Sequence, residues 1–264
     1  MSQKNFGHEK YYLVIFLKFL KNLFMALKGL VGSLIYFAAS LPLASAAPAK
    51  QTFHATARTR DGSVVYIEKH ELFFDEKDQI QSASTTYERE SGEVIATLKS
   101  DFSHSLATPD HVAENRLNGD RYGVRHDGKN LIMFKQDGKD QKEKSRALKV
   151  GFSGDSLAVA GQGINYYIQA NLDKIRAEKT TALTLLIPGR LKYFAFKMEV
   201  VSEADGILNI EFTASNFFIR LFVPKLKVQF DVKQHRLIRY EGVSNIADHD
   251  GEIRDVVIDY DYTS

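Results

Sequence analysis

Short segments of alternating apolar and polar residues, separated by turn dipeptides, make up most of the chain after its first 50 or so residues. In residues 63–72, Glu68 and His70 fall on one face of an extended chain, because successive side chains of a strand point to opposite sides. Dipeptides such as Asp61-Gly62 supply the positive φ angles of tight hairpin turns. The pattern predicts an antiparallel meander. Its expected strands cover residues 63–72, 80–87, 94–102, 131–135, 193–201, 207–213, 226–231, 237–243 and 253–262.

One later segment has the period of an amphipathic helix instead. Residues 163–179 place Ile164, Ile168, Leu172 and Ile175 at steps of three and four, with charged residues on the opposite side. Together with the strands, this predicts a mainly β fold, in which a curved antiparallel sheet or partial barrel has one amphipathic helix packed on it or plugging it. A β-sandwich is the alternative.

The first 46 residues have the pattern of an export signal. Five lysines precede an uncharged run, and residues 29–43 form an apolar core of signal-peptide length. Ala44-Ser45-Ala46 supplies the small residues that signal peptidase requires, so we expect cleavage between Ala46 and Ala47. A retained transmembrane anchor is the alternative. Met25 is an alternative translation start, because the residues after it already form a complete short leader.

Composition narrows the classes of protein that the chain can belong to. The 264 residues include no cysteine, which excludes disulfide scaffolds, thiolate metal sites, cysteine nucleophiles and a lipidated N-terminal cysteine. Without the leader, 30 basic and 32 acidic residues remain, a net charge of −2 that implies no nucleic-acid partner. We therefore expect a single β-rich periplasmic domain over residues 47–264, and not a lipoprotein.

Glu68 and His70 are the most suggestive polar pair. Two ligand-type side chains at i and i+2 are able to begin a metal site or an acid–base pair, but no third ligand lies at motif spacing. A solvated or hydrogen-bonded strand face is the competing interpretation. An enzyme using this pair with Asp101 or His104 is an alternative, but we predict no catalytic residue, metal or cofactor. The other histidines lack ligand spacing and are expected at the surface: His54, His104, His111, His126, His235 and His249.

The most apolar segment of the predicted mature chain is residues 216–224. Such a run is typical of a strand that is buried on both faces, or of a surface that meets lipid or a partner. In the functional interpretation it lines an apolar cavity, and Arg190 and Arg220 at the mouth bind an anionic headgroup. The lining residues are then Phe217, Phe218, Leu221 and Phe222.

Several short motifs together resemble a family of uncharacterised exported proteins of Gram-negative bacteria. They include Tyr66-x-Glu68-x-His70, Pro188-Gly189-Arg190-Leu191, the segment 220–224 and the segment 239–246. More loosely, the predicted fold is similar to periplasmic half-barrel carriers of lipids and lipoproteins. That likeness implies a concave apolar face that holds a hydrophobic or lipid-like ligand. An envelope module that docks onto another protein is the alternative.

Overall fold

In the computed structural model, which describes residues 49–149, 151–220, 225–247 and 252–263, all strands belong to one sheet of 15 strands. The predicted leader and its cleavage site between Ala46 and Ala47 lie outside the described residues. The strands are β1 (Ala49–Arg58), β2 (Val64–Phe74), β3 (Ile80–Glu88), β4 (Val94–Asp101), β5 (Asp110–Asn115), β6 (Arg121–Asp127), β7 (Asn130–Gln136), β8 (Lys144–Lys149), β9 (Leu157–Val159), β10 (Thr180–Ile187), β11 (Lys192–Ala204), β12 (Ile207–Ala214), β13 (Leu226–Asp231), β14 (Arg236–Ala247) and β15 (Ile253–Asp261).

The helices of the described residues are short. They are α1 (Gly163–Ala170), α2 (Leu172–Glu178), a 3-10 helix (Pro188–Arg190) and α3 (Phe217–Arg220). No helix in the described part of the chain has the length and apolar character needed to cross a membrane.

The sheet consists of two meanders joined through the ends of the chain. Its order is β8-β7-β6-β5-β4-β3-β2-β1-β15-β14-β13-β12-β11-β10-β9. β1 pairs with β15, with Ala57 opposite Ile258. Neighbouring strands are antiparallel, except that β9 runs parallel to β10. β8 and β9 remain as the two edges, so the sheet curves without closing.

The interior follows the alternation of each strand. In β2, Tyr66, Glu68, His70 and Leu72 are buried, whereas the intervening Lys69 and Glu71 are exposed. α1 and α2 pack their apolar residues onto the half of the sheet formed by β10–β14. A second cluster joins β1–β4 to β15. Burying one face of every strand supplies the main stabilising free energy of such a sheet.

The fold predicted from the sequence is confirmed, with one change in its helical part. The sheet is single, which excludes the sandwich. The expected helix over residues 163–179 is divided at Asn171, whose Nδ2 donates a hydrogen bond to the carbonyl of Tyr167 at 2.9 Å. Asparagine competes with helical hydrogen bonding in this way, so two short helices form instead of one.

Of the two interpretations of residues 216–224, the buried strand is wrong for the part that the structure describes. Phe217–Arg220 forms the helical turn α3. β12 and β13 are antiparallel neighbours, with Phe212 opposite Leu226, so the chain must reverse direction between them. A connection of this kind cannot lie in the sheet as a strand, whatever its hydrophobicity.

Candidate functional site

A partly open cavity of about 270 Å³ lies between α1 and the concave face of the sheet. Strands from both meanders line it, because the curvature turns their inner faces toward each other. Most of the lining is apolar and includes Leu98, Ile164, Leu185, Phe212, Phe230 and Ile258. Pockets with apolar walls and a few polar groups are typical ligand sites.

The polar part of the cavity lining centres on Glu68 and His70. The two side chains are 5 % and 6 % exposed, and Nε2 of His70 lies 2.8 Å from Oε2 of Glu68. The imidazole stacks on Phe53, with ring centroids 4.4 Å apart and planes within 7°. Because β2 places both residues on its inner face, the i and i+2 spacing brings them together inside the sheet.

A chain of hydrogen bonds extends from this pair across the interior. Nδ1 of His70 lies 2.9 Å from the hydroxyl of Thr85 in β3. The amide of Gln162, immediately before α1, donates to that hydroxyl at 2.7 Å. Its Oε1 accepts a hydrogen bond from the hydroxyl of Ser100 in β4 at 2.9 Å. These hydrogen bonds connect β2, β3 and β4 to the start of α1.

The chemistry of these groups determines which atom donates each hydrogen bond in the series. An ionised Glu68 only accepts hydrogen bonds, so Nε2 of His70 carries the proton between them. Gln162 donates to Thr85, which leaves the Thr85 hydroxyl proton free to point at Nδ1 of His70. Both ring nitrogens of His70 then have a hydrogen-bond partner. The series of hydrogen bonds ends at Glu68 on one side and at Ser100 on the other, and of these two residues Glu68 lines the cavity.

Four tyrosines lie within electrostatic reach of the Glu68 carboxylate. Burial raises the pKa of Tyr66, Tyr166, Tyr240 and Tyr260, and the negative charge of Glu68 raises each pKa further. Their hydroxyls therefore stay neutral over the whole physiological range. Tyr166, Tyr240 and Tyr260 also line the cavity.

Asn165 is another polar residue of the cavity lining. Its Oδ1 is buried and makes no hydrogen bond with any described residue. A buried acceptor without a donor is costly. Asn165 therefore leaves an unpaired polar atom buried beside the cavity, and Glu68 is the lining carboxylate to which a molecule in the cavity is able to donate hydrogen bonds.

The expected ligand-binding residues whose side chains the structure describes are not part of this cavity lining. Arg190 lies in the 3-10 helix and is exposed. Phe217 is 61 % exposed in α3, and the guanidinium of exposed Arg220 lies 5.8 Å above its ring. None of the three lines the cavity. Leu221 and Phe222 lie outside the described residues, as does the side chain of Phe218.

Two described histidines depart from the expectation of surface exposure, His126 at 15 % exposure of its side chain and His111 more strongly, whereas His249 lies outside the described residues. His111 is buried, and that burial lowers the pKa of its imidazole below the ordinary value of 6.5. Nδ1 lies 3.1 Å from the carbonyl oxygen of Pro109, and the ring packs against Gly161. The alternation of β5 turns His111 inward, and the short sequence around it carries no clear strand pattern.

Thr85, Gln162 and Asn165 are polar site residues that the sequence analysis did not identify. The alternation of the predicted strand over residues 80–87 was the available signal for Thr85, because Ala83, Thr85 and Tyr87 share its inner face. Gln162 and Asn165 enter the site only because α1 packs over the sheet.

No protein-family model and no curated protein matches the chain. Among solved structures, it is similar to the crystal structure of a β-barrel-like protein of a domain of unknown function, DUF1849, from Brucella abortus. The two share 9 % sequence identity with a TM-score of 0.44, over 82 % of this chain and 99 % of that one. The present chain is a mainly β protein with one large, curved, unclosed sheet.

Proposed function

We propose that this protein is a non-enzymatic binding protein that holds a small amphiphile inside its sheet. The ligand has an apolar body and a polar end that donates hydrogen bonds, such as an alcohol or an amine. The observation that carries the proposal is the mainly apolar cavity whose polar lining centres on the buried pair of Glu68 and His70.

The cavity volume limits the size of the ligand. An apolar cavity of about 150 Å³ accommodates benzene. By proportion, a cavity of 270 Å³ accommodates about ten non-hydrogen atoms, close to the lower end of common ligand sites. A short alkyl or terpenoid chain meets this limit, whereas a complete diacyl lipid exceeds it.

The charge in the cavity determines which polar end is favoured. A carboxylate ligand would bring a second anion next to buried Glu68, and repulsion between desolvated like charges is strong. An ammonium or hydroxyl group instead forms a hydrogen bond with it. The selectivity is therefore the reverse of that expected for an anionic headgroup held by Arg190 and Arg220.

Export is part of the same proposal. The leader pattern of residues 1–46 supports secretion and cleavage after Ala46, so the ligand would be met in the periplasm. Intact mass measurement of protein recovered from periplasm tests the location, and the mass of residues 47–264 is the expected result. A mass that includes the leader would contradict cleavage.

The binding test uses three molecules that differ only at the polar end: octan-1-ol, octylamine and octanoate. Calorimetric titration at pH 7.5 should give Kd values for the alcohol and the amine about 10-fold or more below that of octanoate, since a hydrogen bond to a charged group contributes about 1.5–3 kcal/mol. Glu68→Gln should remove most of the preference for the amine over octanoate.

Glu71→Gln is the matched control for the binding test. Glu71 lies on the same strand but is exposed and pairs with Lys50 at 2.6 Å, so its loss should leave all three affinities unchanged. Tightest binding of octanoate, or no binding of any of the three molecules, would refute the proposal. Native mass spectrometry of the gently purified protein, with a denatured control, then identifies the class of any ligand retained.

A further inference from the structure

Three metal-ligating side chains that lie far apart in the sequence converge at the connection between β4 and β5. His104 is in that connection, Asp110 begins β5, and His126 lies near the end of β6. Their ligand atoms all lie within 4.8 Å of one another. None of the three lines the partly open cavity, so the cluster is independent of the proposed amphiphile site.

The carboxylate of Asp110 lies between the two imidazoles. Its Oδ1 is 2.6 Å from Nδ1 of His126 and also accepts the backbone N–H of His126 at 2.7 Å. Its Oδ2 is 3.4 Å from Nδ1 of His104. The imidazole rings stack with centroids 5.1 Å apart and planes within 18°. Each carboxylate oxygen thus faces one imidazole nitrogen.

We propose that His104, Asp110 and His126 bind a divalent transition-metal ion, for which Zn²⁺ is the probe. Two imidazoles and one carboxylate are a donor set that zinc and its first-row neighbours favour, with a further coordination position left for water or a substrate. The metal takes the place of the direct contact between Nδ1 of His126 and Oδ1 of Asp110. The sequence analysis did not find this set, because its members have no motif spacing.

The ligand geometry requires only a small adjustment. In a tetrahedral site with bonds of about 2.0–2.2 Å, neighbouring ligand atoms lie about 3.3–3.6 Å apart. The side chain of His104 is 59 % exposed in a connecting segment, whereas Asp110 and His126 are 28 % and 15 % exposed in the sheet. His104 Nδ1 already lies 3.4 Å from Oδ2 of Asp110, so the adjustment falls on the 2.6 Å contact between Asp110 and His126, which must open by about 1 Å.

The local charge also favours a cation. Asp101 is opposite Asp110 across β4 and β5. The backbone amide of Ser103 lowers the pKa of Asp101, and attraction to His104 contributes, which puts a second anionic carboxylate within electrostatic reach. Among the described residues, the ion pairs of Asp110 are formed with His104 and His126, and none is formed with lysine or arginine.

The test is calorimetric titration of untagged protein with ZnCl₂ at pH 7.5, together with the visible absorption spectrum after Co²⁺ is added. We expect one ion per chain and d–d bands typical of nitrogen and oxygen ligands. His104→Ala and His126→Ala should each weaken Zn²⁺ binding more than about 100-fold, because losing even an outer-shell partner costs 10–100-fold. Affinity should also fall from pH 7.5 to 5.5 as protons compete for the imidazoles.

His54→Ala is the matched control. His54 lies 3.4 Å from Asp261, so it reproduces one histidine–aspartate pair in the sheet without the third ligand. This variant should bind Zn²⁺ like the unchanged protein. Because His104 is exposed, His104→Ala should retain the melting temperature, which separates loss of the site from loss of the fold. Unchanged affinity in His104→Ala, equal loss in His54→Ala, or no stoichiometric binding would overturn the proposal.

Discussion

Glu68 accepts hydrogen bonds and His70 is able to donate them, and both are buried in an interior that is otherwise mostly apolar. Each satisfies the other at 2.8 Å, and Thr85 satisfies the second imidazole nitrogen. A buried pair of this kind contributes little net stability relative to apolar residues, but removing one partner leaves the other uncompensated. The pair therefore makes the site sensitive to single substitutions.

His70→Phe keeps the ring that stacks on Phe53 but removes both hydrogen bonds of the imidazole. We expect it to lower the free energy of unfolding by about 3 kcal/mol, because Glu68 is left buried and unpaired. Adding Glu68→Leu should restore at least half of that loss. Urea unfolding of the two single variants and the double variant gives the coupling energy. Strictly additive effects would show that the two residues do not act as a pair.

The elements around the site are held together by close contacts at the start of α1. A Cβ atom on Gly163 would lie 2.2 Å from the carbonyl oxygen of Ala107 and 2.5 Å from Cδ of Pro109. The same carbonyl accepts a hydrogen bond from the N–H of Ala160 at 3.0 Å. The start of α1 thus packs directly on the connection between β4 and β5, and this contact positions Gln162 over the sheet.

Gly163→Ala tests that packing, since the backbone of Gly163 needs no positive φ angle. The methyl group must displace backbone atoms, so we expect a loss of about 2 kcal/mol of unfolding free energy. Gly128→Ala is the control, because its Cβ meets open space and only the φ of +56° is unfavourable, which costs about 1 kcal/mol. Thermal or urea unfolding measures both. An equal or smaller loss at Gly163 would argue against the close contact.

At the scale of the whole molecule, the strands that come first and last in the sequence lie in the middle of the sheet. β1 and β15 pair with each other, and β8 and β9 form the edges. Arg146 connects the edge strand β8 to the start of β11. Its Nη1 donates a hydrogen bond to the carbonyl of Leu191 at 3.1 Å, and its guanidinium lies 4.8 Å over the ring of Tyr193. An apolar cluster that includes Leu148 and Leu186 packs beside them.

Amide hydrogen exchange should reveal this arrangement. Edge strands lack a second hydrogen-bonded neighbour and open at lower free energy, so residues 144–149 should exchange at least about 100-fold faster than residues 53–58 of β1. Arg146→Ala should accelerate exchange in β8 further and leave β1 unchanged. Mass spectrometry of peptides from each strand provides the rates. Equal protection of β8 and β1 would contradict the strand order.

The candidate site was only partly predictable from the sequence. The inward direction of Glu68 and His70 follows from alternation within β2, which depends on residues two apart. Their partners depend on strand register and helix packing: Thr85 is 15 residues from His70, and Gln162 is 77 residues from Thr85. The hydrophobicity of segment 216–224 suggested a buried strand, but its residues Phe217–Arg220 form a helical turn, because hydrophobicity alone does not distinguish a strand from a connection between strands.

The sequence by itself determined the mainly β class and most of the strands, because turn dipeptides and local alternation act within a few residues. Only the tertiary structure decided that β1 pairs with β15, that helix α1 covers a cavity, and that His104, Asp110 and His126 meet. These arrangements depend on which strands become neighbours and how far the sheet curves. Both are set by the burial of apolar faces over the whole chain, which no local pattern encodes.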